Sequence, residues 1–232
     1  MATIKRLAHG WKLFELSWLF AFTAVAVILT VLWKDNLFGF TVTVTGCLCV
    51  MLTAKGKPSS YIYGMYNTFG YAWLAWNNHL YGEVAENLLF FVPMNIIGFI
   101  LWRRKMNEGT VIMKSLGPKK TVVMSVICAA CIAAFGFLLS LIPLQNTPYI
   151  DAATNVLSFI ATFLMIWRYK EQWLLYIALN ILSVIMWAAR LANGSPDGAM
   201  MVLMWGAYLV NAAYGYINWS RGVKAAREAG LA

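Results

Sequence analysis

Charged residues are scarce in this chain. Only 12% of its 232 residues are Asp, Glu, Lys or Arg, against about 25% in an ordinary soluble domain. Hydrophobic residues make up 61% of the chain, which excludes an ordinary soluble domain. The recurrent apolar runs near helix-spanning length predict a polytopic α-helical membrane protein. A transmembrane β-barrel would need alternating segments of about ten residues instead.

The chain also lacks the marks of an exported, disulfide-bonded or metal-binding protein. Its 4 cysteines all fall inside apolar runs, where a disulfide framework is not expected. Cys128 and Cys131 share a helix face by spacing, but no His or acidic residue stands nearby to complete a metal site. We therefore expect no metal and no cofactor. The first long apolar run has no small-residue cleavage site, so it is predicted to be a true span.

Eight apolar runs approach the length of about 20 residues that a membrane-spanning helix needs. The predicted spans are Leu16–Trp33, Leu37–Ala54, Tyr61–Trp76, Val84–Trp102, Thr121–Ile142, Tyr149–Trp167, Trp173–Ala189 and Ala199–Trp219. With eight spans, every Lys and Arg except Lys34 and Arg190 falls on the side of the two termini. The positive-inside rule then places both termini in the cytoplasm. The net charge of +9 is explained by this topology, with the lipid bilayer as partner and no nucleic acid.

Two stretches of the sequence echo each other. FVPMNIIGFILWRR at 91–104 aligns with YLVNAAYGYINWSR at 208–221, and Trp102 then lies over Trp219. A second echo, at another fixed shift, places spans two to four over spans six to eight, with span five as a connector. Spans two and six run in the same direction, so the sequence predicts two parallel copies with a binding site where they meet.

The expected architecture is therefore all-α, with one extra N-terminal helix followed by a 3+1+3 parallel repeat. The predicted divisions are 1–36 (cytoplasmic segment and extra helix), 37–105 (first three-helix repeat), 106–148 (loop and linker helix), 149–221 (second three-helix repeat) and 222–232 (cytoplasmic tail). The extra helix is assigned to anchoring or to an oligomer contact.

The middles of the spans contain amides but almost no ionisable side chains. Pumps and ion-coupled carriers usually keep a charge at depth, so this pattern favours a passive facilitator. Each amide could instead be an interhelical hydrogen-bonding group, since both roles use the same chemistry. The amides are Asn67, Asn87, Asn95, Asn155, Asn180 and Asn211.

Aromatic residues crowd the same helices. Four of them are predicted to lie deep in the spans, and another stands in span seven. Such residues either stack on a flat and possibly cationic solute or pack in the core. The four are Trp73, Trp205, Tyr208 and Tyr214, and the one in span seven is Trp187. The tryptophans at span ends are interpreted as interfacial belt residues. These are Trp33, Trp76, Trp102, Trp167 and Trp219. Pro93 lies inside span four, where it can kink the helix and mark a site or a hinge.

Several motifs resemble those of the PnuC family of nicotinamide riboside transporters. In the first half these are Leu80-Tyr-Gly-Glu83, Asn87, Phe90-Phe91 and Gly98 to Trp102; in the second half they are Pro148 to Asp151, Ser158, Arg168-Tyr-Lys-Glu171, Trp173 and Tyr208 to Trp219. The resemblance covers about spans two to eight. It implies the helix arrangement of SWEET proteins and uptake of nicotinamide riboside, a pyridinium nucleoside that supplies NAD biosynthesis.

The resemblance further implies facilitated diffusion by alternating access in a bacterial inner membrane. A cytoplasmic nicotinamide riboside kinase would maintain the gradient, and a homo-oligomer such as a trimer is compatible with the family. The amides would bond the ribose and carboxamide, and Trp205, Tyr208 or Tyr214 would stack on the ring. Asp151 would attract the cation or close a gate, unless it only caps its helix. The predicted substrate-binding residues are Asn67, Trp73, Asn87, Asp151, Asn155, Asn180, Trp187, Trp205, Tyr208, Asn211 and Tyr214.

Three alternatives remain open from the residues. A related vitamin or nucleoside such as thiamine would suit a similar pocket. A receptor or scaffold without transport activity would show the same composition. An enzyme would need a nucleophile–base pair or a metal cluster at depth, and the spans offer neither, so we expect no catalytic residues.

Overall fold

The computed structural model describes residues 11–33, 37–77, 79, 81–143, 147–193 and 198–231. The helices are α1 (Leu13–Trp33), α2 (Leu37–Ala54), α3 (Ser60–Asn77), α4 (Tyr81–Glu86), α5 (Val92–Arg104), α6 (Pro118–Ser140), α7 (Pro148–Ile166), α8 (Gln172–Ala192) and α9 (Gly198–Glu228). A π-helical segment, Asn87–Phe91, joins α4 to α5. Residues 1–10, 34–36, 78, 80, 144–146, 194–197 and 232 lie outside the described residues.

The helices agree with the predicted spans to within a few residues at most ends. Among the described residues, five helical segments are long and apolar enough to cross a membrane, so the chain is a multi-pass membrane protein. They are Leu37–Ala54, Val84–Arg104, Pro118–Ser140, Pro148–Ile166 and Gln172–Ala189. The helix α3 has 18 residues, but its Tyr, Trp and Asn content lowers its hydropathy. The count of eight spans stays a prediction for the other helices.

One small element departs from the all-α expectation. Two short antiparallel strands, β1 (Met106–Asn107) and β2 (Thr110–Val111), form a hairpin after α5. Glu108 and Gly109 both take positive φ at its tip, with φ of 46° and 79°. Such backbone conformations favour tight turns, which explains a hairpin in a segment that the sequence predicted only as a loop.

Contacts divide the chain into two compact units, which are described separately. The first consists of Met1–Leu52 and Ser59–Ile96. Within it, α3 packs against α4 and the π-helical segment. Gly70 lets α3 approach α2 closely, because a Cβ there would lie 2.4 Å from a methyl carbon of Val42. Small residues at such contacts are typical of membrane helix packing.

The second unit consists of Thr53–Pro58 and Ile97–Ala232. In it α6 packs on α7, α7 on α8, and α8 on α9. Its core is apolar and spans three of these helices. The buried members are Cys128, Leu157, Ala161, Leu164, Leu175 and Leu179. Burial of Cys128 among these side chains agrees with its interpretation as a small apolar residue.

The segment after α5 links two turns of the second unit. Val111 N–H donates to Gly56 O at 2.9 Å, in the turn after α2. Lys114 N–H donates to Arg168 O at 2.8 Å in the turn after α7, and Lys114 O accepts from Lys170 N–H at 2.9 Å. The backbone segment 111–116, called the strap below, therefore links both turns by hydrogen bonds.

Glu171 fixes the end of that strap. Its buried carboxylate accepts hydrogen bonds from Ser115 Oγ at 2.7 Å and from Leu116 N–H at 3.1 Å. Hydrogen bonds to an ionised carboxylate are stronger than those between neutral groups. The buried carboxylate of Glu171 is therefore stabilised by hydrogen bonds from the protein rather than by water.

Trp102 and Trp219 do not lie in an interfacial belt. Both are 0% exposed, and their rings pack against each other with centroids 5.6 Å apart. Trp102 Nε1 donates to Met165 O at 3.0 Å, and Trp219 Nε1 donates to Thr53 O at 3.0 Å. The belt interpretation is wrong for these two residues, because their N–H groups bond to carbonyls inside the protein rather than to the interface.

Candidate functional site

In the first unit, the predicted amides are engaged in helix packing. Asn67 Nδ2 donates to Val42 O at 2.8 Å, which ties α3 to α2. Asn95 Nδ2 donates to Phe91 O at 2.9 Å and to Thr68 Oγ1 at 3.2 Å. The bonds from Asn67 to Val42 and from Asn95 to Thr68 are interhelical, whereas the bond from Asn95 to Phe91 lies within one helical stretch. In each bond the amide N–H donates, and the side-chain oxygen keeps its capacity to accept from a solute.

Asn87 lies at the start of the π-helical segment and is buried. The N–H of Val92 donates to Asn87 O across five residues, the wider turn that defines a π-helix. Pro93 follows and lacks an N–H, so it cannot restore the usual ladder in the next turn. The predicted break in span four is thus a π-helical turn followed by proline, a feature frequent at functional sites.

Trp73 projects from α3 and is 60% exposed. It lies in a run of exposed aromatic residues that also includes Tyr66 and Phe69. Its assignment to a substrate site stays a prediction.

In the second unit, Asp151 stands in the first turn of α7, where a carboxylate is favoured by the helix dipole. Thr147 Oγ1 donates to Asp151 Oδ1 at 3.3 Å. Asn155 Nδ2 donates to Asp151 O at 2.8 Å, a bond within the helix. Both side chains are half-buried, so each keeps atoms that a solute could reach.

One face of α9 brings three predicted site residues together. Trp205, Tyr208 and Asn211 follow each other at three-residue spacing. The rings of Trp205 and Tyr208 meet edge to face, with centroids 5.8 Å apart and an angle of 86°. Trp205 also packs against the core of α7 and α8.

This face carries polar atoms without protein partners. Asn211 is 4% exposed, and its Oδ1 has no hydrogen-bond partner among the described residues. The same holds for Trp205 Nε1. Such groups are costly to bury, at about 1–3 kcal/mol each. Asn180 is also 4% exposed, in α8, which packs on α9. Trp187 and Tyr214 are half-buried on α8 and α9.

The arrangement offers hydrogen bonding and aromatic faces without fixed charge. Among the described residues, no group of three His, Cys, Asp or Glu side chains could hold a metal ion. A cavity of about 310 Å³ lies beside the hairpin and the end of α9, lined by Val111, Met113, Gly222 and neighbouring residues. None of the predicted site residues lines it, so we do not assign the solute to it.

Sequence reasoning missed other buried polar groups in this unit. Gln172, Trp173 and Ser183 are all nearly or fully buried in α8. Gln172 and Trp173 directly follow the Arg168-Tyr-Lys-Glu171 motif, and that adjacency was the available signal. Burial lowers the pKa of the Arg168 guanidinium in the same turn below its usual value.

Comparison with known proteins gives a consistent result. A family model described as nicotinamide mononucleotide transporter matches residues 36–221. The nicotinamide riboside transporter PnuC of Neisseria mucosa is 36% identical over 225 residues, covering 95% of this chain and 86% of that protein. The protein of the same name from Haemophilus influenzae is 35% identical, covering 93% of each. A crystal structure of the vitamin B3 transporter PnuC superposes with a TM-score of 0.75 at 34% identity, covering 93% of this chain and 94% of that one.

Proposed function

Because this chain belongs to the nicotinamide mononucleotide transporter family, we propose that it carries nicotinamide riboside across the membrane. Relatives at 36% and 35% identity bear the name nicotinamide riboside transporter. The chain covers 86% of the first of these relatives and 93% of the second.

The observation that carries the proposal is the α9 face. Asn211 Oδ1 can accept from a ribose hydroxyl or a carboxamide, and Trp205 Nε1 can donate to an oxygen, since neither has a partner within the described part of the chain. Tyr208 adds an aromatic surface beside Trp205. A pyridinium ring is flat and cationic, and cation–π contacts of about 0.5–2 kcal/mol favour it over a neutral ring.

The solute in the family description, nicotinamide mononucleotide, carries a phosphate that the solute in the relatives' names, nicotinamide riboside, lacks. The sequence favours the riboside. A mononucleotide would bring a phosphate dianion into the protein, which needs Lys or Arg partners. No Lys or Arg lies within any of the eight predicted spans. An uncharged amide and aromatic surface suits the riboside better than the mononucleotide.

Binding can be tested by calorimetric titration of the purified protein. We expect saturable binding of nicotinamide riboside and much weaker binding of nicotinamide mononucleotide and thiamine. Thiamine binding without riboside binding would contradict the choice of solute. Tight binding of the mononucleotide would contradict the argument from missing cations.

We further infer that transport is facilitated diffusion by alternating access. No Asp, Glu, His, Lys or Arg stands in the middle of a predicted span, and ion coupling usually requires a charged side chain there. In liposomes, uptake of labelled riboside should proceed without an ion gradient and stop when the two concentrations are equal. Accumulation driven by a sodium or proton gradient would refute the uniport mechanism.

Parallel duplication is supported by the two buried tryptophans. Trp102 bonds to Met165, the next-to-last residue of α7, and Trp219 bonds to Thr53, the next-to-last residue of α2. The two tryptophans that the sequence echo aligns thus each bond to the carbonyl at the next-to-last position of a helix in the other predicted repeat. Such a reciprocal pattern is expected of copies related by an axis along the membrane normal.

The cation distribution supports cytoplasmic termini in an inner membrane. In that orientation the solute reaches the cytoplasm, where a kinase would keep its free concentration low. Exposed apolar residues on α1, such as Leu13 and Phe20, suit an oligomer contact or the lipid. Light scattering on purified protein would distinguish a trimer from a monomer.

A further inference from the structure

A second set of buried polar atoms lies near the turn between α7 and α8, and these atoms have no hydrogen-bond partner among the described residues. Gln172 is 0% exposed, and neither of its amide atoms has a hydrogen-bond partner among the described residues. Trp173 Nε1 and Ser220 Oγ are also buried without partners. None of these three residues belongs to the α9 face described above.

Two of these groups stand on adjacent residues, and the third stands on the residue after a ring neighbour of Trp173. Gln172 and Trp173 are the first two residues of α8. The Trp173 ring lies against Gly215 of α9, where a Cβ would come within 2.6 Å of it, and its centroid is 6.2 Å from that of Trp219. Ser220 directly follows Trp219. The Trp173 ring therefore joins the start of α8 to the part of α9 that carries Gly215 and Trp219.

Local structure does not explain why Gln172 stands here. A polar side chain at a helix start often caps the free backbone N–H groups. In α8 these are already bonded, because Gln172 N–H donates to Tyr169 O at 3.3 Å and Trp173 N–H to Lys170 O at 3.1 Å. The neighbouring carboxylate of Glu171 is paired as well.

The contrast within one aromatic cluster is informative. The indole N–H groups of Trp102 and Trp219 have carbonyl partners at 3.0 Å, whereas that of Trp173 has none in the part of the chain that the structure describes. Burial of an unpaired polar group destabilises a protein, so an apolar side chain would be more favourable at Gln172 if stability alone mattered. Groups that reduce stability in this way are typical of functional sites.

We propose that Gln172, Trp173 and Ser220 form an inner subsite that the transported nucleoside contacts as it leaves the protein. This subsite rests on the proposed transport function. The Gln172 amide offers a donor and an acceptor, Trp173 a donor and an aromatic face, and Ser220 a hydroxyl, which together match a carboxamide and ribose hydroxyls. The subsite acts in the release step, so its loss slows turnover and leaves the initial binding affinity unchanged.

Two substitutions test this inference. Gln172→Met keeps the volume of the side chain and removes its polar atoms, and Trp173→Phe removes the indole N–H. We expect each to lower the maximal rate of riboside uptake into liposomes about five-fold, the loss expected of one hydrogen bond. Affinity in calorimetry should stay within about two-fold of the wild type, because the subsite does not act in initial binding.

Thermal stability separates a functional role from a structural one. Gln172→Met should melt at or above the wild-type temperature, because it replaces an unpaired buried amide. Trp219→Phe is the matched control for Trp173→Phe, since it makes the same change in volume but breaks an existing bond to Thr53 O. Trp219→Phe should therefore lose more stability than Trp173→Phe.

The outcomes are distinct. Slower uptake with unchanged affinity and undiminished stability in Gln172→Met would support the subsite. Wild-type uptake rates in both variants, or slower uptake only in parallel with lower stability, would overturn it while leaving the proposed function intact. A wild-type protein that neither binds nor transports the riboside would overturn the proposed function and the subsite together.

Discussion

Replacing Trp219 with Phe should destabilise the second unit by about 2–3 kcal/mol. The substitution removes the hydrogen bond from Trp219 Nε1 to Thr53 O, which contributes about 1 kcal/mol. The acceptor keeps its bond from Gly56 N–H at 2.9 Å, so no carbonyl is left unpaired. The smaller ring also leaves space in a site that is 0% exposed, and part of the roughly 3–5 kcal/mol cost of truncating a buried aromatic adds to the loss.

For a protein of this size, that loss corresponds to a fall of roughly 5–10 °C in the melting temperature. Far-ultraviolet circular dichroism in detergent would measure it without depending on tryptophan fluorescence. Trp167→Phe is the matched control, because Trp167 is 53% exposed and stacks on its helix neighbour Phe163. Its effect should stay within about 0.5 kcal/mol. Equal shifts in the two variants would refute the assignment of Trp219 to an internal bond.

Three further predictions concern the site and the strap. Asn211→Leu should weaken riboside binding about ten-fold in calorimetry without lowering the melting temperature, because Oδ1 has no partner among the described residues. Unchanged affinity would show that Asn211 does not belong to the site. Glu171→Ala should lower the free energy of unfolding by about 2–3 kcal/mol, since it removes bonds to a buried carboxylate, including that from Ser115 Oγ. Ser115→Ala should lower it by less. A larger loss in Ser115→Ala than in Glu171→Ala would contradict this account. Burial, the largest cause, and the charge of Arg168 lower the pKa of Lys114 below its usual 10.5. The unfolded state therefore binds the Lys114 proton more tightly than the folded state does. Stability should then rise with pH in the window below 10.5 and the rise should be smaller in Lys114→Met, as equilibrium unfolding at several pH values would show.

The π-helical turn at Asn87–Phe91 distinguishes the two predicted repeats. The aligned part of α9 is helical without interruption, whereas the first copy widens at Asn87 and then meets Pro93. A repeat that carries a break can bend where its partner cannot. The sequence alignment of 91–104 with 208–221 starts at the last residue of the π-helical segment, so it includes Pro93 but not the wider turn before it.

Hydropathy and charge alone were sufficient to predict the class of this protein and the positions of its helices. Apolar runs of fixed length are local features, and the bilayer sets their length in every membrane protein. The amide and aromatic character of the candidate site could also be predicted, because it depends on which residue types occur inside the runs. The family resemblance supplied the nature of the solute.

The partners of individual side chains could not be predicted in this way. Trp219 ends an apolar run like any belt tryptophan, yet it bonds to a carbonyl 166 residues earlier in the chain. Nor does the local pattern distinguish the paired indole of Trp219 from the unpaired one of Trp173, because hydropathy is the same for both. Which polar atoms are satisfied, and which remain available for a solute, depends on how α7, α8 and α9 pack together, and that packing joins residues that no local sequence pattern connects.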